Sequence, residues 1–260
     1  MAQPTNVKSA TRALQVLEHF EFIQRPASLV EIAASLGWPV SSASLLLRTL
    51  CQMGYLNRDP QTQHFAPTMR LPLLGGWIRA GHADGHALAT LVAQAHQATG
   101  FSAVLSMRHD LDVQYIYVSR ATAKGFASKR PSAGTLRPVA LCAAGYMMLA
   151  GESNERIALL ARHAAAVSQR HIDVPELMAH VEAAREQGYA WQANTNTQGI
   201  GDVAVRLRED DPFGQALVLS VGAASEVVQA RHAEIGCRLI ELVEAFSRPP
   251  VPGVPLPSAR

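Results

Sequence analysis

The stretch VEIAASLGWPVSSASLLLRTLCQMGYL, residues 30–56, decides the fold of the first part of this 260-residue chain. Its apolar residues recur at intervals of three and four on either side of a Gly-Trp-Pro turn, which predicts two short helices joined by a tight connection. Ser28 and Glu31 have the spacing of a capping box at the start of the first helix, and Gly37 is suited to end it. Pro39 favours the opening of the second helix.

The second of these helices has one apolar and one polar face. The face expected to be buried carries Ala43, Leu46, Leu47, Leu50 and Met53. The opposite face carries Ser41, Ser44, Leu45, Arg48 and Gln52. Such residues can hydrogen-bond to base edges or phosphates and contact a thymine methyl group, so this face could enter a DNA major groove. On this helix alone, an ordinary solvated face is the simpler interpretation.

The flanking segments strengthen the DNA-binding interpretation. Residues 9–24 place Ala13, Leu17 and Phe20 on one helical stripe. Residues 55–67, YLNRDPQTQHFAP, contain two short extended runs around Asp59-Pro60-Gln61-Thr62, which suits a type I turn. Three helices followed by a small hairpin are typical of a winged helix-turn-helix.

Composition indicates a folded, soluble, cytoplasmic protein. Hydrophobic residues make up 48% of the chain, but no window reaches the ~18 unbroken apolar residues of a membrane span, and the polar N-terminus is unlike a signal peptide. The cysteines Cys51, Cys142 and Cys237 lie far apart without a CxxC pair, so neither a zinc site nor a disulfide framework is indicated. Seven basic and four acidic residues precede residue 80, a modest positive bias compatible with a polyanionic partner.

Motifs for catalysis or cofactor binding are few. Residues 199–204, GIGDVA, match a G-x-G-x-x-A pattern, but polar residues precede them and a strand-like run follows, whereas a dinucleotide site needs a strand and then a helix. Residues 82–86, HADGH, offer potential metal ligands but lie in a glycine-punctuated linker without a further partner nearby. The chain has no GxSxG, HExxH or P-loop motif. We therefore predict no cofactor, no metal site and no catalytic residues.

The second part of the chain alternates helical and extended patterns. Residues 86–100 predict an amphipathic helix ended by a glycine, and residues 101–119 predict a hairpin that turns at 109–112. Residues 174–191 predict a helix ended by Gly188 and followed by a strand. Two paired strands, VAVRLRE and QALVLSVG, precede a closing helix over residues 230–248. This order indicates an α/β domain.

Residues 9–74 resemble the DNA-binding domain of the IclR family of bacterial transcriptional regulators. SATRALQVLEHF, SLVEIAASLGWPVSSASLLLRTL with its LG-x-P turn, and MGYLNRDPQTQHFAPTMRL with its wing carry the resemblance. The rest is similar to the family's effector domain, in which GTLRPVALCAAGYMMLAG would bound the ligand cavity. The resemblance implies an α+β fold. Its parts would be a winged helix-turn-helix (5–68), a linker helix (69–85), a GAF-like α/β effector-binding domain (86–248) and a disordered tail (249–260).

The resemblance and the two-faced helix together give the predicted DNA contacts. They are Arg12, Ser41, Ser42, Ser44, Leu45, Arg48, Arg58 and His64. In the family, the position of Val40 is commonly Lys, so this helix carries fewer cations than its relatives. We therefore expect affinity to depend on Arg12, on Arg58 and the wing, and on a homodimer or dimer of dimers that binds a palindromic operator.

The resemblance also places a ligand pocket. The predicted effector-binding residues are Val139, Leu141, Cys142, Gly145, Gln192, Asp202, Leu219 and Val221. A carboxylate ligand would lie beside Asp202 without a facing cation, so the predicted effector is a hydroxylated or amine-bearing molecule, such as an aromatic catabolite. A shift of one residue in the last strand would turn Leu219 and Val221 outward and bring Ser220 in.

The sequence thus predicts a one-component transcriptional regulator whose partners are double-stranded operator DNA and a small-molecule effector, with no membrane partner. Two alternatives stay open. One is a ligand- or protein-binding module whose winged helix no longer reads DNA, because its second helix is poor in cations. The other is a small-molecule enzyme in the C-terminal domain that uses Asp202 or a histidine as a base.

Overall fold

A computed structural model describes residues 7–74, 85–120, 132–168, 171–211 and 214–247. By its internal contacts the chain divides into two units, residues 1–80 and residues 81–260. Most of the predicted linker helix at 69–85, and the predicted tail at 249–260, lie outside the described residues.

The first unit is a three-helix domain with a small hairpin. Its elements are α1 (Lys8–Ile23), α2 (Leu29–Leu36), α3 (Val40–Gln52), β1 (Leu56–Arg58), β2 (Phe65–Pro67) and the short α4 (Arg70–Leu74). β1 and β2 pair antiparallel, with Arg58 opposite Phe65. Backbone hydrogen bonds between Ala27 and Phe65 (3.0 and 2.8 Å) attach the hairpin to the segment before α2. The predicted winged helix-turn-helix is confirmed.

The core of this unit holds one face of α3. Ala43, Leu47 and Leu50 are buried as predicted, and Leu46 packs against the core at its edge. The prediction for Met53 is wrong, because the helix ends at Gln52 and the side chain of Met53 is 51% exposed. The buried face therefore holds α3 in place, and the polar face lies on the outside of the unit.

The helix ends follow the predicted signals in part. Ser28 Oγ accepts a hydrogen bond from the N–H of Glu31 (3.3 Å), and Gly37 ends α2 with a φ of 68°. The second half of the capping box is absent, because the Glu31 carboxylate pairs with Arg25 instead. Pro39 occupies the N-cap of α3 rather than its first turn.

The second unit is built on one antiparallel sheet with helices on both faces. Its elements are α5 (Gly85–Thr99), β3 (Ser102–His109), β4 (Asp112–Ser119), β5 (Leu136–Pro138), a 3-10 turn (Val139–Leu141), α6 (Ala143–Leu149), α7 (Asn154–Ser168), α8 (Val174–Gln187), β6 (Ala190–Ala193), β7 (Ile200–Arg206), β8 (Val218–Ala224) and α9 (Ser225–Phe246). The strand order is β5-β4-β3-β8-β7-β6. A helical first unit together with this sheet-containing second unit confirms the predicted α+β fold class.

The two faces of the sheet differ. One face packs wholly against apolar side chains of α5 and α9. The other packs on α6 and α8 at one end only, around Val218 and Ala204. At the other end of that face the strand residues line a cavity, so the cavity is a gap between the sheet and its helical cover.

Most local predictions for this unit hold. β3 and β4 are joined by a two-residue connection, and Gly100 and Gly188 adopt left-handed conformations after α5 and α8. GIGDVA runs into β7 and no helix follows it directly, so the strand-then-helix context that a dinucleotide site needs is absent there. Within the described ranges, no single helix is long and apolar enough to cross a membrane, although the bent pair α2 and α3 passes that test jointly.

Candidate DNA-binding surface and effector cavity

The outer face of α3 presents small polar groups and one cation. Ser41 and Arg48 are exposed, Ser42 and Ser44 are half-buried, and the side chain of Leu45 is 69% exposed. Arg48 Nη2 donates a hydrogen bond to Ser44 Oγ at 3.0 Å, one helical turn away. This contact holds the guanidinium along the helix and leaves its other N–H groups free to reach a base edge or a phosphate.

Three other guanidinium groups of the unit lie over aromatic rings. Arg12 lies 5.0 Å from the ring centre of Trp38, Arg58 lies 5.5 Å from that of Phe65, and Arg70 lies 4.9 Å from that of Tyr55. Stacking restricts these long side chains but leaves their edges able to donate hydrogen bonds. Arg70 was not among the predicted DNA contacts. It lies just after the wing, and its positive charge is the only feature of the sequence that could have indicated a contact with DNA.

The tip of the wing is closed by its own side chains. Asp59 accepts hydrogen bonds from the N–H of Gln61 (2.9 Å) and from Thr62 Oγ1 (2.7 Å), and these donors lower the pKa of the Asp59 carboxyl. The loop closes one residue later than the predicted type I turn, since Gln63 N–H donates to Asp59 O at 2.8 Å. His64, a predicted DNA contact, is half-buried at the end of this loop.

The second unit contains a cavity of about 310 Å³. Its apolar walls include Phe101, Val104, Ile200, Ala223 and Val227, and its polar groups include Tyr115, Arg120, Arg137, Gln192, Asp202 and Ser220. An enclosed apolar space with a few converging polar groups is the usual form of a small-molecule site.

A row of directly paired residues forms the floor of the cavity. Gln192, Asp202, Gly222 and Ser102 are cross-strand partners on four neighbouring strands. Gly222 leaves a gap in this row, because a Cβ built there would meet nothing closer than the Gly201 carbonyl oxygen at 3.9 Å. A flat ligand group could therefore lie on the backbone between Asp202 and Ser102.

The Asp202 carboxyl group is the centre of the polar network. Its Oδ1 accepts a hydrogen bond from Gln192 Nε2, and its Oδ2 accepts one from the N–H of Ala143 at 3.0 Å. Gln192 Oε1 in turn accepts from the N–H of Thr195 at 3.0 Å. Asp202 thus connects the sheet to the start of α6 and still has lone pairs that face the cavity.

Burial governs the protonation of Asp202. Its side chain keeps some accessible surface inside the cavity, but the surrounding protein removes most of its solvation and raises its pKa from 3.8 to about 6. The hydrogen bonds from Gln192, Ala143 and Ala144 and the charge of Arg137 oppose this rise. Asp202 is therefore mostly ionised at neutral pH and readily protonated in mild acid.

The raised pKa of Asp202 predicts a pH-dependent stability. Between pH of about 4 and about 6 the folded chain holds a proton that the unfolded chain has released, so the free energy of unfolding should fall as the pH rises. This group should contribute a fall of up to about 3 kcal/mol. Urea unfolding of the parent and of Asp202→Asn across this range measures the difference, and parallel stability curves would contradict it.

Six of the eight predicted effector residues fall into three groups. Cys142, Gln192 and Asp202 line the cavity. Leu141 lines a neighbouring cleft beside Tyr146 and His180. Val139 is buried, and Gly145 lies against its backbone, behind the cavity wall.

The predicted orientation of Leu219 and Val221 is wrong. Both side chains are buried on the opposite face of the sheet, in the core beneath α5 and α9. Ser220 and Gly222 face the cavity instead. This is the arrangement that a shift of one residue in the last strand would produce. The Ser220 hydroxyl forms no hydrogen bond with another described residue, so it is available to a ligand.

Two cationic residues that line the cavity were not predicted from the sequence. Arg120 and Arg137 both line it, and the Arg137 guanidinium lies 5.8 Å from the ring centre of Tyr115. The expectation that a carboxylate ligand would find no facing cation is therefore wrong. Arg137 belongs to the three-residue strand β5, whose pairing with β4 no local pattern had indicated.

Two family profiles match the chain. The IclR helix-turn-helix domain matches residues 9–60, and the bacterial transcriptional regulator IclR C-terminal domain matches residues 86–248. The acetate operon repressor of Salmonella typhimurium is 24% identical over 245 residues, which cover 90% of this chain and 87% of the repressor. The HTH-type transcriptional regulator XynR of Escherichia coli is 26% identical over 203 residues, covering 76% and 79% of the two chains.

Solved structures have the same fold. An IclR transcriptional regulator from Alicyclobacillus acidocaldarius superimposes with a TM-score of 0.55 at 28% identity, covering 93% of this chain and 98% of that one. The Thermotoga maritima IclR gives a TM-score of 0.55 at 18% identity, covering 93% and 98%. Both similarities extend through the winged helix and the sheet domain.

Proposed function

Since the chain belongs to the IclR family of bacterial transcriptional regulators, we propose that the outer face of α3 reads its operator and that the cavity of the second unit binds its effector. At the level of the family, the chain is a DNA-binding regulator with an effector-binding C-terminal domain and is not an enzyme. The proposed boundaries are residues 5–68 for the DNA-binding domain, 69–85 for the linker and 86–248 for the effector domain.

We propose that the exposed face of α3 enters the major groove. Ser41, Ser42, Ser44, Leu45 and Arg48 would contact base edges, while Arg12, Arg58, His64 and Arg70 would contact phosphates. The observation that carries this proposal is the position of Arg48, exposed and held by Ser44 on a helix whose opposite face is buried. A single helix with one cation supports only weak binding, so a homodimer or dimer of dimers on a palindromic operator is proposed as well.

The cavity supports an effector with a hydrogen-bond donor for Asp202. A phenolic hydroxyl or an amine could donate to the free lone pairs of Asp202, and a ring could lie over Gly222 between apolar walls. Arg137 allows such a molecule to carry a carboxylate at its other end. We therefore propose a hydroxylated or amine-bearing aromatic compound as the effector, with or without an acidic group.

Thermal unfolding in the presence of candidate compounds tests this effector class. Phenols, hydroxybenzoates and aromatic amines, supplied well above their dissociation constants, should raise the melting temperature by roughly 5 to 10 °C. Asp202→Asn should remove most of this shift, whereas Arg162→Ala, an exposed position on α7, should keep it. Strong stabilisation by glyoxylate, together with stronger binding of glyoxylate by Asp202→Asn, would contradict the proposal.

A further inference from the structure

A second cleft lies at the opposite end of the same sheet from the effector cavity. Its volume is about 520 Å³, and its walls come from the β3–β4 turn, α7 and the chain just before β8. Along β3 the cavity reaches Ser102 and this cleft reaches Arg108, a separation of about 20 Å at the usual rise of a strand. We call it the arginine cleft, after Arg108, Arg156 and Arg206.

Ion pairs hold two of the three arginines in place. Arg108 Nη1 donates to Glu152 Oε1 at 2.9 Å, and its Nε donates to the carbonyl oxygen of Asp110 at 3.0 Å. Arg206 Nη2 donates to Asp210 Oδ1 at 2.7 Å. A guanidinium has five N–H donors, so each group keeps donors for a ligand while its orientation is restrained.

The third arginine supplies a charge that the protein leaves unpaired. The guanidinium of Arg156 is exposed and contacts no carboxylate among the described residues. His163 lies seven residues later on the same face of α7 and also lines the cleft. The lining also holds the carboxylates of Asp110 and Glu152, and Asp210 pairs with Arg206. Three carboxylates therefore match the three guanidinium groups, and Arg156 is the cleft arginine without an ion pair among the described residues.

The floor of the cleft is apolar. Leu111, Met148 and Leu160 are buried and line the cleft together with the charged side chains. A low-polarity floor strengthens the interaction between guanidinium groups and a bound anion, because less water competes for their donors.

One helix connects the two sites. The N–H of Ala143 at the start of α6 donates to Asp202 in the effector cavity, and Met148 near its end lines the arginine cleft. All seven residues of α6 are buried, so the helix is packed on every side between the two sites. A ligand at one site is thus connected to the other through a single short element.

We propose that the arginine cleft binds a compact oxyanion, either a dicarboxylate or a phosphate group, in addition to the effector. Arg156 provides the main unpaired charge, and Arg108 and Arg206 provide oriented donors. A planar guanidinium group can donate two parallel hydrogen bonds to a pair of carboxylate or phosphate oxygens, so a cleft lined by three such groups suits an anion of this kind.

Isothermal titration of the full chain with inorganic phosphate and with succinate tests the proposal, at an ionic strength held constant with chloride. At least one of these anions should bind with a stoichiometry of one per chain. Arg156→Ala should weaken that binding about tenfold. Because Arg156 is exposed, this variant should fold like the parent, and Arg156→Lys should retain part of the affinity.

Two control variants separate the possible outcomes. Arg162→Ala removes an exposed arginine from another face of α7, and Arg137→Ala removes a cation of the effector cavity. Both should bind the anion within twofold of the parent. Three results would each overturn the proposal: no binding of either anion, equal loss in Arg156→Ala and Arg162→Ala, or a larger loss in Arg137→Ala, which would place the anion in the effector cavity.

Discussion

Arg48→Ala should weaken binding to the operator by roughly 5- to 150-fold, the range that corresponds to the loss of one base contact worth about 1 to 3 kcal/mol. Arg48 is the one charged residue of α3, so no neighbour on the helix can replace it. Its hydrogen bond to Ser44 Oγ positions the guanidinium before DNA arrives, which reduces the entropy lost on binding. Fluorescence anisotropy with an operator duplex and a scrambled duplex measures the loss.

Arg58→Ala is the matched control for this experiment. Arg58 lies on the wing over Phe65, where it is placed to contact phosphate rather than a base edge. Its removal should weaken binding to both duplexes alike and reduce the dependence of the logarithm of affinity on salt by about one unit. If Arg48→Ala instead left the ratio of operator to scrambled affinity unchanged, Arg48 would not be a reader of bases.

Gly145→Ala should lower the free energy of unfolding by about 3 kcal/mol or more, since the overlap involves backbone atoms that cannot move aside. A Cβ at this position would lie 1.9 Å from the carbonyl oxygen of Val139. The close approach of α6 to the 3-10 turn therefore depends on glycine, and this approach fixes Cys142 in the cavity wall.

Gly222→Ala is the control for Gly145→Ala. Gly222 lies in a strand that borders the same cavity, but its added Cβ would meet nothing closer than the Gly201 carbonyl oxygen at 3.9 Å. Its free energy of unfolding should stay within about 0.5 kcal/mol of the parent, as for changes that create neither a clash nor a buried polar group. Chemical unfolding followed by circular dichroism compares the variants, and equal stabilities of Gly145→Ala and Gly222→Ala would show that α6 can shift.

Most predictions that depended on local patterns succeeded, although Met53 is exposed and the loop of the wing closes one residue later than predicted. The spacing of apolar residues located α3 and its buried face, and glycines marked the ends of α2, α5 and α8. Each of these signals acts within one or two turns of chain, so the sequence contains all the information that they need.

Predictions that depended on distant contacts failed more often. Leu219 and Val221 were assigned to the cavity by the family resemblance, and the alternation in β8 indicates two faces without indicating which of them lines the cavity. Glu31 could not be assigned its partner, because Arg25 lies before the helix and outside the capping pattern. Arg137 reaches the cavity only because the short strand β5 pairs with β4, a contact that no periodicity predicts.

Selection of duplexes from a random pool by the full chain, followed by titration of the best duplex and a scrambled one, tests the central claim most directly. We expect the recovered sequences to contain two half-sites related by a dyad, and the selected duplex to bind about 10³-fold or more tightly than the scrambled one at physiological salt. Equal affinity for the two duplexes, with no shared sequence among those recovered, would contradict the account and favour a winged helix that no longer reads DNA.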